Sequence, residues 1–380
     1  MLLPSRRSTS SVVIACHAVD SLECVSIAVV IDISGLLYQV DDENHPGIQE
    51  IRYKAATESK SPPAALHQDQ KERSQRPRDL AMPRDFSDTK LLDRLVVPPG
   101  RKVKLASDFA TSWKEGRAFD KRHAAERLRE GVQLLSEFQS KLYAQNRHAL
   151  LVILQAMDAA GKDGTIKHVM SGINPQGCRV TSFKGPSPEE LDHDYLWRHV
   201  KVLPERGHIG IFNRSYYEEV LVVRLHPEYL EKQQLPPEVK GPKIWQRRFE
   251  QINNFEKFLS ENGIAVLKIF LNVSKEEQRQ RFLARIDEPA KNWKFSPADA
   301  RNRLRWDEYM QAYEDCFRRT STEWAPWYVV PADQKPYSRL LVAFLIYQSL
   351  AKMKLEYPTV SKGRRAELLE IRKLLARDKS

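Results

Sequence analysis

A chain of 380 residues with a hydrophobic fraction of 41% carries enough apolar material for a sizeable core, which excludes disorder throughout. Lysine and arginine outnumber aspartate and glutamate by 61 to 50, a formal charge of +11. That balance suits nucleic acid, an anionic membrane or polyphosphate equally well, and also a basic surface that merely keeps the chain in solution.

At the N-terminus, Arg6 and Arg7 precede an apolar run over 12–16, but His17, Asp20 and Glu23 interrupt it before a secretion signal develops. No later stretch reaches the roughly 20 apolar residues that a bilayer crossing needs, so a soluble chain is expected. Cys16, Cys24, Cys178 and Cys316 share no Cys-x-x-Cys spacing and are too few to staple this length, which fits a reducing cytoplasm. Residues 41–84 are rich in charge, Gln, Ser and Pro and lack a sustained period. The expectation is a poorly ordered extension over 1–84, an ordered domain over 85–355 and a charged helical tail over 356–380. Met82 is an expected alternative start, an idea that native peptides from before it would remove.

From 119 to 146, apolar residues recur at helical spacing among charges, predicting a long amphipathic helix. Short apolar runs then follow at 148–155, 179–183, 208–212, 264–271 and 327–330. Helical patterns alternate with them at 164–171, 188–199, 242–262, 275–286, 297–319 and 337–354. Alternation of this kind predicts an α/β three-layer sandwich, a five-stranded parallel sheet with helices on both faces.

The first strand runs into MDAAGKDGTI over 157–166, after which helical spacing begins. A phosphate-binding loop needs that context: backbone N–H groups from Ala159, Ala160, Gly161, Asp163, Gly164 and Thr165 can face phosphate oxygens, and Lys162 can reach further charge. Compared with G-x-x-x-x-G-K-[ST], Walker A, Ala156 replaces the first glycine and Asp163 stands where a metal-binding hydroxyl usually sits. Asp158 inside the loop can ligate Mg²⁺, and Thr165 supplies a hydroxyl two residues late. An ordinary strand, turn and helix shaped by its glycines remains the alternative.

The third strand closes in FNRSYYEE over 212–219. Polar groups at the carboxyl end of a parallel strand lie where open α/β sheets bind ligands, so Arg214 is a candidate to neutralise phosphate, Glu218 a candidate metal acid or orienter of Arg214, and Asn213 a hydrogen-bonding partner. The alternative is that Asn213 and Arg214 only cap the next helix.

MDAAGKDGTI (157–166), FKGPSPEE (183–190), HDYLWRH (193–199) and FNRSYYEE (212–219), in this order, resemble the polyphosphate kinase 2 family. RIDEPAKNWKFS (285–296) leading to RLRWDEY (303–309) resembles that family's lid and the helix behind it, so the likeness spans about 91–355. It implies a P-loop kinase-like fold with a helical lid, and reversible Mg²⁺-assisted transfer of a terminal phosphoryl group from inorganic polyphosphate to a nucleoside mono- or diphosphate. Asp158 and Lys162 match the family's metal and phosphate positions and Arg214 its phosphate-binding arginine. Asn213 together with Glu218 looks like the branch that accepts both AMP and ADP. Homo-dimers or homo-tetramers are the family's frequent assembly, with no nucleic acid or membrane partner expected.

A polyanionic chain needs a row of cations. Lys167, Lys184 and Arg198 leave the same sheet edge, and Arg281, Arg285, Lys291 and Lys294 sit on the Pro-interrupted stretch that can close as a lid. Each is also explained as a solvated helix face paired with Glu276, Glu277, Asp287 or Glu288. Trp293 and Trp306 can stack on a base or fill the core. His193 and His199 have nothing nearby to support a phosphohistidine. Two rivals stand beside the family reading: an ATP-dependent nucleoside monophosphate kinase and a non-catalytic polyanion-binding protein.

Overall fold

The computed structural model describes residues 93–113 and 121–378, together with the backbone of three short strands nearer the N-terminus. The chain divides into Met1–Ser74 and Gln75–Ser380. In the first unit, β1 (Val12–His17), β2 (Ser26–Ile31) and β3 (Leu37–Tyr38) pair antiparallel in that order. The predicted leader over 41–84, with its alternative start at Met82, lies outside the described residues.

The second unit is built on a sheet of β4 (Val96–Val97), β5 (Ala149–Ala156), β6 (Cys178–Ser182), β7 (Ile209–Asn213), β8 (Ile264–Asn272) and β9 (Trp327–Pro331). Its order is β4-β9-β8-β5-β7-β6, and every pairing is parallel except β4 on β9. The five predicted strands are thus present and a sixth joins them. Two residues followed by Pro98, Pro99 and Gly100 offer no alternation to read, which is why β4 left no signal. β5 is buried at every position, as a central parallel strand covered on both faces must be.

The α-helices of eight or more residues are α1 (Lys121–Gln145), α2 (Lys162–Val169), α3 (Ile244–Glu261), α4 (Lys275–Asp287), α5 (Pro297–Leu304), α6 (Trp306–Thr320), α7 (Lys335–Lys352) and α8 (Lys362–Arg377) among the described residues. α7 packs against α1, α2 and the central strands, while α3 and α6 pack against each other and a π-helical turn at Glu219–Val223. α8 is exposed along its whole length.

Two predicted helices are broken. The stretch 188–199 holds only Pro188–Leu191, closed by a Ser187/Glu190 capping box, and Trp197–Val200, because Asp194 turns its carboxylate onto the Leu196 amide between them. The stretch 297–319 breaks at Arg305, whose guanidinium donates to the Leu225 carbonyl at 2.6 Å and to Glu308. A tertiary bond makes this break, so neither Pro nor Gly marks it. Among the described residues no helix is long and apolar enough to cross a membrane.

Beneath β8 lies a fully buried ion pair, Lys268 to Glu256 at 2.6 Å. Glu256 also accepts from the hydroxyls of Tyr216 and Tyr217, and Lys268 donates to the Thr320 carbonyl. Every charge is matched, the condition under which such burial is tolerated.

Candidate active site

The turn from β5 into α2 is held in shape from outside. Ala159 has φ 62° and Gly161 φ 110°, so the backbone passes twice through the left-handed region, which only glycine enters freely. Arg281 on α4 secures the turn by donating to the carbonyls of Ala159 at 3.1 Å and Ala160 at 2.7 Å, and its other nitrogens reach Ala332, Asp333 and Glu277. Gln278, one turn earlier, donates to the Asp158 carbonyl at 3.0 Å. No side chain caps the first turn of α2, leaving its leading amides for an anion.

Parallel register brings the second strand end alongside. Leu154 lies opposite Asn213, and the Arg214 amide donates to the Leu154 carbonyl at 3.1 Å. Arg214 then sits 2.8 Å from Asp158 Oδ1 and 3.6 Å from Glu218 Oε2. Glu218 foremost, with Asp158 behind it, holds the guanidinium well above the ordinary arginine range, against the cost of burial. The backbone of Arg214 is itself left-handed, φ 66°. Strain at a non-glycine residue persists only where surrounding contacts enforce it, as they do at functional sites.

Lys162 is buried, and its ammonium donates to the Ala156 carbonyl at 3.0 Å. Burial, then repulsion from Arg214, pushes it down to about 8, against the pull of Asp158, Glu218 and Asp163. Asn213 ties the strand end to the helix by donating from Nδ2 to Asp163 Oδ1 at 2.8 Å.

Beside the loop and the strand end lies a cavity of about 400 Å³, which Lys162 and Asn213 back without lining. Asp158, Arg214 and Glu218 face it from the sheet, and Asp299, Tyr309 and Tyr313 from α5 and α6. Asp299 was missed by sequence reasoning, where an acid two residues after Pro297 reads as first-turn charge. Burial and then the nearby Asp158 push its carboxyl upward. Among the described residues no three His, Cys, Asp or Glu side chains gather into a metal cage. Two hard carboxylates on an open cavity fit Mg²⁺ better than such a cage would, because Mg²⁺ keeps several waters and takes substrate phosphate oxygens.

The remaining predicted residues separate by position. Lys184 and Arg198 line the cavity, Arg198 held 3.2 Å from Glu190 and over the Phe183 ring. Gly161, Gly164 and Thr165 line a second, smaller cavity against α7. Lys167 and Asp163 are exposed on α2. Arg285 pairs with Asp299 at 3.6 Å. Lys291 pairs with Glu288, and Lys294 lies over Trp293, which is 77% exposed. Arg281 stands apart from these lid cations, since its donors are spent on the loop and on the turn after β9. Trp306 is buried core. His193 stacks on Trp197, and His199 is buried with its Nδ1 on the Tyr195 carbonyl and its basicity pushed down to about 3 by burial.

A phosphate loop at the end of a central parallel strand, a lysine behind it and an arginine from the next strand define a phosphotransferase of the P-loop kinase type. The family profile of polyphosphate kinase 2 matches residues 118–358, and the chain belongs to that family. It is 56% identical over 256 residues to an ADP-polyphosphate phosphotransferase of Rhodopseudomonas palustris, covering 67% of this chain and 89% of the relative. With an AMP/ADP-polyphosphate phosphotransferase of Meiothermus ruber the identity is 45% over 264 residues, covering 69% and 94%. The crystal structure of polyphosphate kinase 2 from Arthrobacter aurescens TC1 superposes with a TM-score of 0.65 at 39% identity, over 73% of this chain and 95% of that one.

Proposed function

We propose that this enzyme transfers the terminal phosphoryl group of inorganic polyphosphate, reversibly and with Mg²⁺, to a nucleoside mono- or diphosphate. The observation that carries the reading is that Asp158, Arg214 and Glu218 line one cavity at the mouth of the phosphate loop, with the Lys162 ammonium buried behind that loop within electrostatic reach of all three. The two phosphotransferase relatives described above are named for this kind of reaction.

Both substrates are polyanions, so the protein's task is to hold them in line and neutralise charge. In the step, the terminal P–O bridge of the donor breaks and a P–O bond forms to an acceptor phosphate oxygen. That oxygen is already ionised, so no general base is required. Lys162 and the uncapped amides of α2 stabilise the transferring group, and Arg214 balances charge from the neighbouring strand. Asp158 and Glu218 would hold Mg²⁺, which supplies further positive charge to the phosphate oxygens. The lid cations Arg285, Lys291 and Lys294, with Lys184 and Arg198, form the outer track. The same reading places the enzyme in the cytoplasm as a homo-dimer or homo-tetramer, for which light scattering of the purified protein is the check.

Purified protein incubated with Mg²⁺, polyphosphate and each of AMP, ADP, GMP and GDP should yield the next higher phosphate. Product from ATP plus a nucleotide, with none from polyphosphate, would assign it instead to ATP-dependent monophosphate kinases, whose loop usually keeps the glycine and hydroxyl that Ala156 and Asp163 replace.

A further inference from the structure

The smaller cavity, about 160 Å³, lies where the later half of the phosphate loop meets α7. Gly161, Gly164 and Thr165 line it from the loop side, and Lys335, Ser338 and Arg339 from α7. Ser338 is 3% exposed and its hydroxyl has no partner. A helical serine ordinarily back-bonds to the carbonyl four residues earlier, and a buried hydroxyl left unpaired is costly. Lys335 and Arg339, one helical turn apart, have no carboxylate partner among the described residues. The acid in that neighbourhood, Glu277, is occupied by Arg281 at 2.8 Å. Burial, then repulsion from Arg281, holds the Lys335 ammonium below its usual value. At Gly164 a Cβ would come within 3.5 Å of an Arg339 guanidinium nitrogen, so guanidinium and loop backbone face each other closely.

Unpaired cations, an orphaned buried donor and the flank of an uncapped helix start converge on a cavity that offers positive charge without its complement. The missing partner is an anion. Its size is bounded too: pockets for nucleotide-sized ligands run to roughly 300–1,000 Å³, so this cavity suits a phosphate unit and not a nucleoside.

We propose that the Lys335, Ser338 and Arg339 cavity is a second phosphate site, which grips a unit of the polyphosphate donor away from the bond being broken. This deepens the proposed reaction and rests on it. Holding the chain at two points would make donor affinity depend on α7 while the acceptor remains independent of it.

Arg339→Gln, Lys335→Gln and the double variant should each weaken long-chain polyphosphate, about tenfold per charge removed, in KM and in the calorimetric Kd. KM for the nucleotide should stay within about twofold. Ser338→Ala, which keeps the fold's volume, should move in the same direction by about threefold. Inorganic phosphate titrated alone separates the sources: weakened phosphate binding with an unchanged polyphosphate Kd would assign the cavity to free phosphate and overturn the proposal. So would an unchanged polyphosphate Kd in the double variant, or an equal loss for nucleotide and polyphosphate. If the wild type binds polyphosphate but does not turn it over, the reaction assignment fails while the calorimetric comparison still decides the site.

Discussion

Arg214 reaches Asp158 at 2.8 Å from a left-handed backbone, φ 66°, so the contact that joins the two halves of the site is made by a strained residue. Glycine carries no penalty there and alanine does. Arg214→Gly should therefore unfold later than Arg214→Ala by about 1 kcal/mol in denaturant titration. Both should lose on the order of 10²-fold in rate.

Asp158→Asn removes the carboxylate while the loop stays pinned through the Asp158 carbonyl to Gln278. Turnover should fall on the order of 10²-fold or more, with polyphosphate binding largely retained in calorimetry. A loss of binding equal to the loss of rate would count against the assigned role.

Lys162 carries its charge below about 8 in the folded protein, against an ordinary 10.5. The free enzyme's kcat/KM should accordingly decline on the alkaline side near pH 8, and kcat at a higher pH, since bound polyphosphate favours the ammonium. Between about 8 and 10.5 the unfolded chain binds more protons than the folded one, so this group makes stability rise with pH in that window. Lys162→Met should abolish activity without lowering the melting temperature at pH 7.

Arg281→Met strands the loop carbonyls and Glu277, and should cost roughly 2–4 kcal/mol of stability while depressing kcat. Lys294→Gln, on an exposed lid position, should leave stability within about 0.5 kcal/mol. Stability measurements on the two variants separate a clasp from a substrate contact.

Asn213→Asp would set a second carboxylate 2.8 Å from Asp163 in place of a donor. Two such groups do not both ionise comfortably, and the added negative charge disfavours the more anionic acceptor. The ratio of AMP to ADP efficiency should rise by about threefold or more in steady-state assays.

Much of this arrangement was legible from the sequence, because it depends on local order. Five apolar runs marked the strands, and a loop and a strand end at neighbouring registers had to meet. What escaped depends on long-range contacts. Arg305 ends a helix by bonding Leu225, 80 positions away. Arg281 looked like one lid cation among several, yet it is spent on carbonyls of the loop 121 and 122 positions away. Asp299 resembled an ordinary first-turn acid, and Ser338 gave no sign in the sequence that its hydroxyl would be left alone. β4 was simply too short to show a period.

The Lys268 and Glu256 pair bears on how this sequence can drift. Neither partner has water to fall back on, so a neutral replacement at one position maroons the other and should be purged. Across related chains the two sites ought to switch together, as a unit with the tyrosines above them, or to stay fixed.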